Sequence, residues 1–203
     1  MAKALNLKQY ISDFFEYVKS EKVELYNEFS LQHELGIYLR NHLPRDYKVQ
    51  FERNVSSFLI EDKTVKKEID IVIFTEDKTK RYAIELKYPR NGQYPEQMYA
   101  FVKDIRFVEQ LKEKGFTGTC AVTLVEDKPF YFDSGRSTND IYGYFRGDKT
   151  IKKEIKKPTG EGKEEDSILI DGVYTINWVD LDEVPGEKAE TRKKRKYYIV
   201  TIG

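Results

Sequence analysis

The chain has 203 residues, with 35 lysines and arginines against 35 aspartates and glutamates, so its formal net charge is zero. That excludes a uniformly basic coat that grips any polyanion, while one cysteine and two histidines exclude an internal disulfide and a cysteine–histidine zinc cluster. Charged residues make up 34% of the chain and hydrophobic ones still 39%, which predicts a globular protein with a heavily charged surface, and the length predicts one domain spanning 1–203.

The N-terminal stretch carries acids and lysines where a secretory signal has an unbroken apolar core, and no run approaches eighteen apolar residues. The expectation is a cytoplasmic protein without a membrane partner. Leu7, Ile11, Phe14, Phe15 and Val18 recur at helical spacing, and a second helical run, from Val23 to Leu43, repeats Leu31, Leu35, Tyr38 and Leu39 on one face before Pro44. From Tyr47 the period shortens to that of a strand. EIDIVIF (68–74) and RYAIELKY (81–88) then flank the turn-like TEDKTK (75–80), which predicts a hairpin.

An amphipathic helix is predicted from about Pro95 to Lys114, carrying Met98, Phe101, Val102, Ile105, Val108 and Leu111 on one side and ending at Gly115. GTCAVTLVED (118–127) reads as a strand buried on both faces. The order is helix, helix, three strands, helix, strand. Beyond Tyr131 a β-rich extension, about 133–203, is expected. Its charged segment 146–166 is either a projecting hairpin or a mobile loop, SILI and VYTINW flank the hairpin signal Asp171-Gly172, and YYIVTI (197–202) reads as a closing strand.

An acidic residue two positions before a lysine occurs at Asp46, Glu61, Glu76, Glu85, Glu126, Glu154 and Glu161, as a chain this charged will produce by chance. Six of these lie in polar, turn-like or lysine-rich stretches. Glu85 and Lys87 instead interrupt an apolar strand, where burial would favour valine or isoleucine. Residues two apart on a strand project from the same face, so Glu85 and Lys87 point together while Ile84 and Leu86 point into the other layer. On the preceding strand Ile69, Ile71 and Ile73 share one face, with Asp70 on the other beside Val72 and Phe74. Pairing the two strands sets Asp70 across from Glu85, so that two carboxylates converge beside one amine. Such a set suits a hard divalent cation, Mg²⁺ or Mn²⁺, which takes oxygen donors. The ion activates a water and offsets charge on a phosphodiester, while the lysine orients the water or stabilises the oxyanion.

Asp70, followed fifteen positions later by Glu85-Leu86-Lys87, with a helix before and a strand-helix-strand after, resembles the PD-(D/E)XK nuclease superfamily over roughly residues 23–132. The PEQMYAFVKDIRFVEQL run (95–111) looks like the small stand-alone members. The resemblance implies a restriction-endonuclease-like α/β core, a mixed sheet flanked by helices, with C-terminal β-hairpin additions. It also implies a Mg²⁺-dependent endonuclease in which Asp70 and Glu85 bind metal together with the Leu86 carbonyl and Lys87 assists the water. Many members place a further carboxylate on the helix before the core. Glu34 is the best match for this catalytic and metal-binding position, with Glu28 the alternate.

The sequence departs from the superfamily pattern at Ile69, where the first motif has proline, and at Phe101, which follows Gln97 where some branches have tyrosine. Gln97 is a supporting candidate at the start of its helix. The implied partner is nucleic acid, DNA ahead of RNA, and homodimers occur among relatives that cut both strands. Two basic stretches are candidates for gripping phosphates: Lys152, Lys153, Lys156 and Lys157, near the aromatics Tyr142, Tyr144 and Phe145, and Arg192, Lys193, Lys194 and Arg195. The competing reading is a catalytically inactive module that binds nucleic acid or a protein. His33, His42 and Cys120 are read as structural.

Overall fold

The computed structural model describes residues 4–58, 60, 63–132, 140–147, 149–160, 166–182 and 194–203. Helix α1 (Leu7–Ser20) is capped by the Asn6 side chain, which accepts from the Gln9 N–H. Helix α2 (Glu28–His42) begins five residues later than the apolar spacing predicts. The reason is a capping box: Asn27 accepts from the Ser30 N–H while the Ser30 hydroxyl accepts from the Asn27 N–H, so the chain turns helical only at Glu28.

Six strands form the main sheet in the order β1-β2-β3-β4-β8-β7. They are β1 (Tyr47–Asn54), β2 (Glu68–Thr75), β3 (Arg81–Lys87), β4 (Gly118–Val125), β7 (Val179–Asp180) and β8 (Lys196–Ile202). Only β3 and β4 are parallel, and the crossover they require is helix α3 (Tyr94–Glu113). This is the mixed α/β architecture, a sheet flanked by helices, that the sequence predicts. YYIVTI pairs antiparallel with β4 inside the sheet.

Both faces of the sheet are covered, which is why β2, β3 and β4 read as nearly continuous apolar runs. On one face Ile71, Ile73, Ile84 and Leu86 pack under α1 and α2 against Ile11, Phe14, Leu31 and Leu35. On the other, Val72, Phe74 and Ala83 meet Phe107 and Leu111 of α3, while Ala121, Tyr198 and Val200 meet its Phe101 and Val102. Ile69 joins this second face with Val72 instead of sharing the face of Ile71 and Ile73, so strict alternation breaks at Asp70. On β1 the aligned register is broken at Glu52, whose φ is +48°.

Helix α4 (Ile141–Arg146) and a two-stranded ribbon, β5 (Ile151–Lys156) with β6 (Ser167–Tyr174), pack over α3 through Ile151, Ile155, Ile168 and Ile170. The lysine-rich stretch therefore holds a strand, with a bulge where Lys153 takes φ +58°. The expected turn at Asp171-Gly172 is absent, because both residues lie within β6. Their N–H groups donate to the Glu109 carboxylate of α3 (3.2 and 2.7 Å), and a Cβ at Gly172 would overlap the Tyr174 ring. Local turn propensity yields here to a tertiary anchor. Among the described residues, no helix is long and apolar enough to cross a membrane.

Candidate functional site

The β2–β3 ladder runs from Phe74 opposite Arg81 to Ile71 opposite Ile84 and then stops. One step further would set Asp70 opposite Glu85. There the side chains replace the ladder. The Asp70 N–H donates to Glu85 Oε1 (3.2 Å) and the Leu86 N–H donates to Asp70 Oδ2 (2.7 Å). From the other flank Gln32 of α2 donates to the Asp70 carbonyl (2.9 Å). Asp70 is thus held at three points in a local opening of the sheet.

Around this opening acids and amines alternate. Lys66, which precedes β2, bonds the Glu85 carboxylate and donates to Asp104 Oδ1 of α3 (3.0 Å). Lys87 Nζ lies 3.8 Å from Asp104 Oδ2 and donates to Glu28 Oε1 and the Leu86 carbonyl, each at 3.2 Å. Glu28 Oε2 accepts from the Tyr88 N–H (3.0 Å). Four carboxylates therefore face two ammonium groups. Glu85 is 0% exposed and Asp104 4%, and Asp104 Oδ2 has no hydrogen-bond donor among the described residues.

Crowding and burial of like charges show in the ionisation of the group. Burial pushes Asp70 up to about 6, against the lowering effects of Lys66 and the Leu86 N–H. Glu85 rises well above the carboxylate range, first through burial and then through Asp70. Asp104 also rises on burial, opposed by Lys87 and Lys66. Burial works against both lysines, but the acids prevail: Asp104, Glu85 and Asp70 raise Lys66, and Asp104 and Glu28 raise Lys87. With more acids than amines in a buried cluster, the site favours protonation of its carboxyls over their full ionisation.

Of the residues singled out from the sequence, Asp70, Glu85, Leu86 and Lys87 are brought together. Glu34 is not; its carboxylate lies 3.7 Å from His33 Nδ1, and Glu28 is the helix acid bonded to Lys87. The late start of α2 accounts for this, since Glu28 in the first turn lies next to the end of β3. Gln97 also stays outside, donating to Asn91 (3.1 Å) at the surface. Lys152, Lys153, Lys156 and Lys157 sit on and just after β5, where Lys157 pairs with Asp166 (3.5 Å). Arg195 is clamped by Asp182 (2.7 Å), and the Lys194 carbonyl accepts from Tyr131. Arg192 and Lys193 lie outside the described residues.

Lys66, Asp104 and Gln32 are the residues that sequence reasoning missed. Asp104 had a signal: it falls three residues after Phe101 and four before Val108, on the apolar stripe of α3, where a carboxylate needs a reason. Lys66, among other lysines, had none.

The donors available to a metal, Asp70, Glu85 and the Leu86 carbonyl, are all oxygen, and a cluster with more acids than amines suits a hard dication. Two positions are contested, because the Lys66 ammonium is bonded to Glu85 and Lys87 donates to the Leu86 carbonyl (3.2 Å). Among the described residues, no group of three or more His, Cys, Asp or Glu is gathered closely enough to hold a metal ion as it stands. The chemistry of the donors fits; their gathering would require Lys66 to yield. No protein-family model matches the chain, and neither a curated protein nor a solved structure matches it.

Proposed function

We propose that this chain is a metal-dependent nuclease of the PD-(D/E)XK kind, an endonuclease hydrolysing phosphodiester bonds, with DNA taken before RNA as its substrate. The observation that supports this most is the convergence of the Asp70 and Glu85 carboxylates with Lys87 where the β2–β3 pairing ends. Asp70, Glu85 and the Leu86 carbonyl are the groups that would hold Mg²⁺ or Mn²⁺. A dication supplies there a bound water of lowered pKa and a charge that offsets the phosphodiester's.

The chain's own residues do the rest. Glu28 bonds Lys87 Nζ and the Tyr88 N–H together, fixing the ammonium beside the opening. Lys87 then donates to the attacking water or to a phosphate oxygen as negative charge develops on it. Arg90 lies over the Tyr88 ring (5.3 Å) and is ion-paired with Glu126 (2.6 Å), half exposed, so it would meet a neighbouring phosphate only by sharing or leaving that carboxylate. Lys66 is the internal counter-ion of Glu85 and would have to give way for Glu85 to hold a metal.

The second reading is a catalytically silent module that binds nucleic acid or a partner protein. Lys66 favours it, because an ammonium bonded to Glu85 neutralises that acid with no metal at all. Plasmid, linear duplex and single-stranded DNA, each incubated with the protein in Mg²⁺ or Mn²⁺, separate the two. The nuclease reading expects cleavage that falls by about 100-fold or more in Lys87→Ala with the circular dichroism spectrum unchanged. Cleavage absent from the wild type, or equal in Lys87→Ala, overturns it. Salt-sensitive binding that needs no metal and survives Asp70→Asn establishes the silent module instead.

A further inference from the structure

Beside the acid–amine cluster, α2 and β1 enclose a hollow of about 430 Å³ whose lining includes Glu24, Tyr26, Phe29, Gln32, Glu34 and Phe51. Its volume is that of a small-ligand site, and its composition is unusual. Phe29 is 75% exposed and Tyr26 60%, so two large rings are left in water at the first turn of α2 and just before it. Its wall carries the carboxylates of Glu24 and Glu34 beside the Gln32 amide, the Ser30 hydroxyl and the His33 ring, whose Nδ1 lies 3.7 Å from Glu34. A phosphate is repelled by such a wall. A flat ring that carries amino donors is attracted by it.

The hollow adjoins the candidate site through Gln32. Phe29 follows Glu28, which holds Lys87, and Gln32, one turn on, both lines the hollow and donates to the Asp70 carbonyl (2.9 Å). Gln32 therefore links a phosphate position at Asp70 and Lys87 to the side of α2 that carries the aromatic rings.

We infer that this hollow receives one unstacked nucleobase of the substrate, stacked on Phe29 or Tyr26 with its exocyclic amino group donating to Glu24 or Glu34. The carboxylate–amino pairing is the one by which acidic side chains read cytosine, and stacking on aromatic rings is tolerant of sequence. A base inside a duplex stack is not available to such a hollow, so the substrate is single-stranded nucleic acid or a strand with a base turned out. This rests on the nuclease reading and narrows it to a substrate class.

The test uses the full chain in EDTA with a 12-nucleotide single strand carrying 2-aminopurine, the same strand in duplex, and a version with an abasic site at the probed position. The expected result is tighter binding of the single strand than of the duplex, with a change in 2-aminopurine fluorescence. Phe29→Ala and Tyr26→Ala should each weaken single-strand binding by about 5- to 100-fold, and Phe29→Trp should restore it. Both rings are exposed, so these variants keep the fold.

Preference for the duplex, equal affinity for the abasic strand, or unchanged affinity in both alanine variants would overturn the inference. If wild-type cleavage of DNA in Mg²⁺ persists in that case, the nuclease reading stands without it. Binding of a lysine-rich peptide in place of the oligonucleotide, lost in Phe29→Ala, would assign the hollow to a protein partner and overturn it equally. If the wild type neither binds nor cuts any of the three DNAs, both readings fall.

Discussion

Helix α3 carries two buried carboxylates five residues apart, Asp104 and Glu109, each 4% exposed. A carboxylate accepts about four hydrogen bonds. Glu109 takes four, from the Asp171 and Gly172 N–H groups, the Tyr174 hydroxyl and Arg106. Among the described residues Asp104 takes one, from Lys66, and its Oδ2 is left with only the Lys87 charge at 3.8 Å. The same helix thus holds a saturated acid, which anchors the β5–β6 ribbon, and an undersupplied one, which adds to the excess of acids over amines in the candidate site. Buried acids with a purely architectural role are satisfied; an acid left short of donors in a cluster of like charges has a different reason to be there.

Stability separates the two most sharply. Glu109→Ala leaves the Tyr174 hydroxyl and two backbone N–H groups without their acceptor, while Arg106 keeps Glu113 and Asp171, and is expected to destabilise the protein by about 3 kcal/mol or more. Asp104→Asn leaves two lysines facing three carboxylates instead of four, so its expected loss is below about 1 kcal/mol. Urea unfolding of both variants measures the gap. Equal losses would mean that Asp104 is as much a structural joint as Glu109.

The next effect is on Asp70, whose acid-rich environment the comparison predicts to be unfavourable in the absence of metal. Its carboxyl is raised from 3.8 to about 6, so between those values the folded protein binds a proton that the unfolded chain does not. The contribution of this group to stability therefore falls as pH rises through that window and stays low above it. The shift corresponds to about 3 kcal/mol, or about 2 once partial exposure and shared pairings are allowed for. In EDTA, Asp70→Asn should be more stable than wild type by that amount at pH 7, with the difference closing toward pH 4. A variant less stable at pH 7 would show the cluster to be well compensated by its lysines.

The halves of this comparison were unequally legible. The hairpin, α3 and β4 were readable because apolar periods of two and of 3.6 are set by burial on the sheet and under one helix face. Asp70, Glu85 and Lys87 were readable because they interrupt such a pattern. Glu28 was passed over for Glu34 because apolar spacing began α2 at Val23, while the Asn27–Ser30 box begins it at Glu28. The side switch at Ile69 was not readable, since it follows from side chains taking over the ladder bonds at Asp70. The Asp171-Gly172 signal misled because Glu109, more than sixty residues away in the chain, captures both N–H groups.

The smallest expected effect concerns what the saturated end of α3 is for. The ribbon that Glu109 anchors exposes Lys152 and Lys156 on β5, away from the acid–amine cluster. If the ribbon only braces the helix, removing these charges changes nothing beyond about 0.5 kcal/mol of stability. If it extends the phosphate track, each lysine lost reduces the slope of log affinity against log salt for single-stranded DNA by about 0.7. The nuclease reading expects the second outcome, with stability unchanged, in Lys152→Ala and Lys156→Ala measured from 50 to 200 mM salt. That result would make the two acids of α3 complementary, Asp104 at mid-helix beside the reacting phosphate and Glu109 holding out a basic arm along the same strand. An unchanged slope would confine nucleic-acid contact to the neighbourhood of Lys87 and Arg90 and leave the ribbon as scaffold.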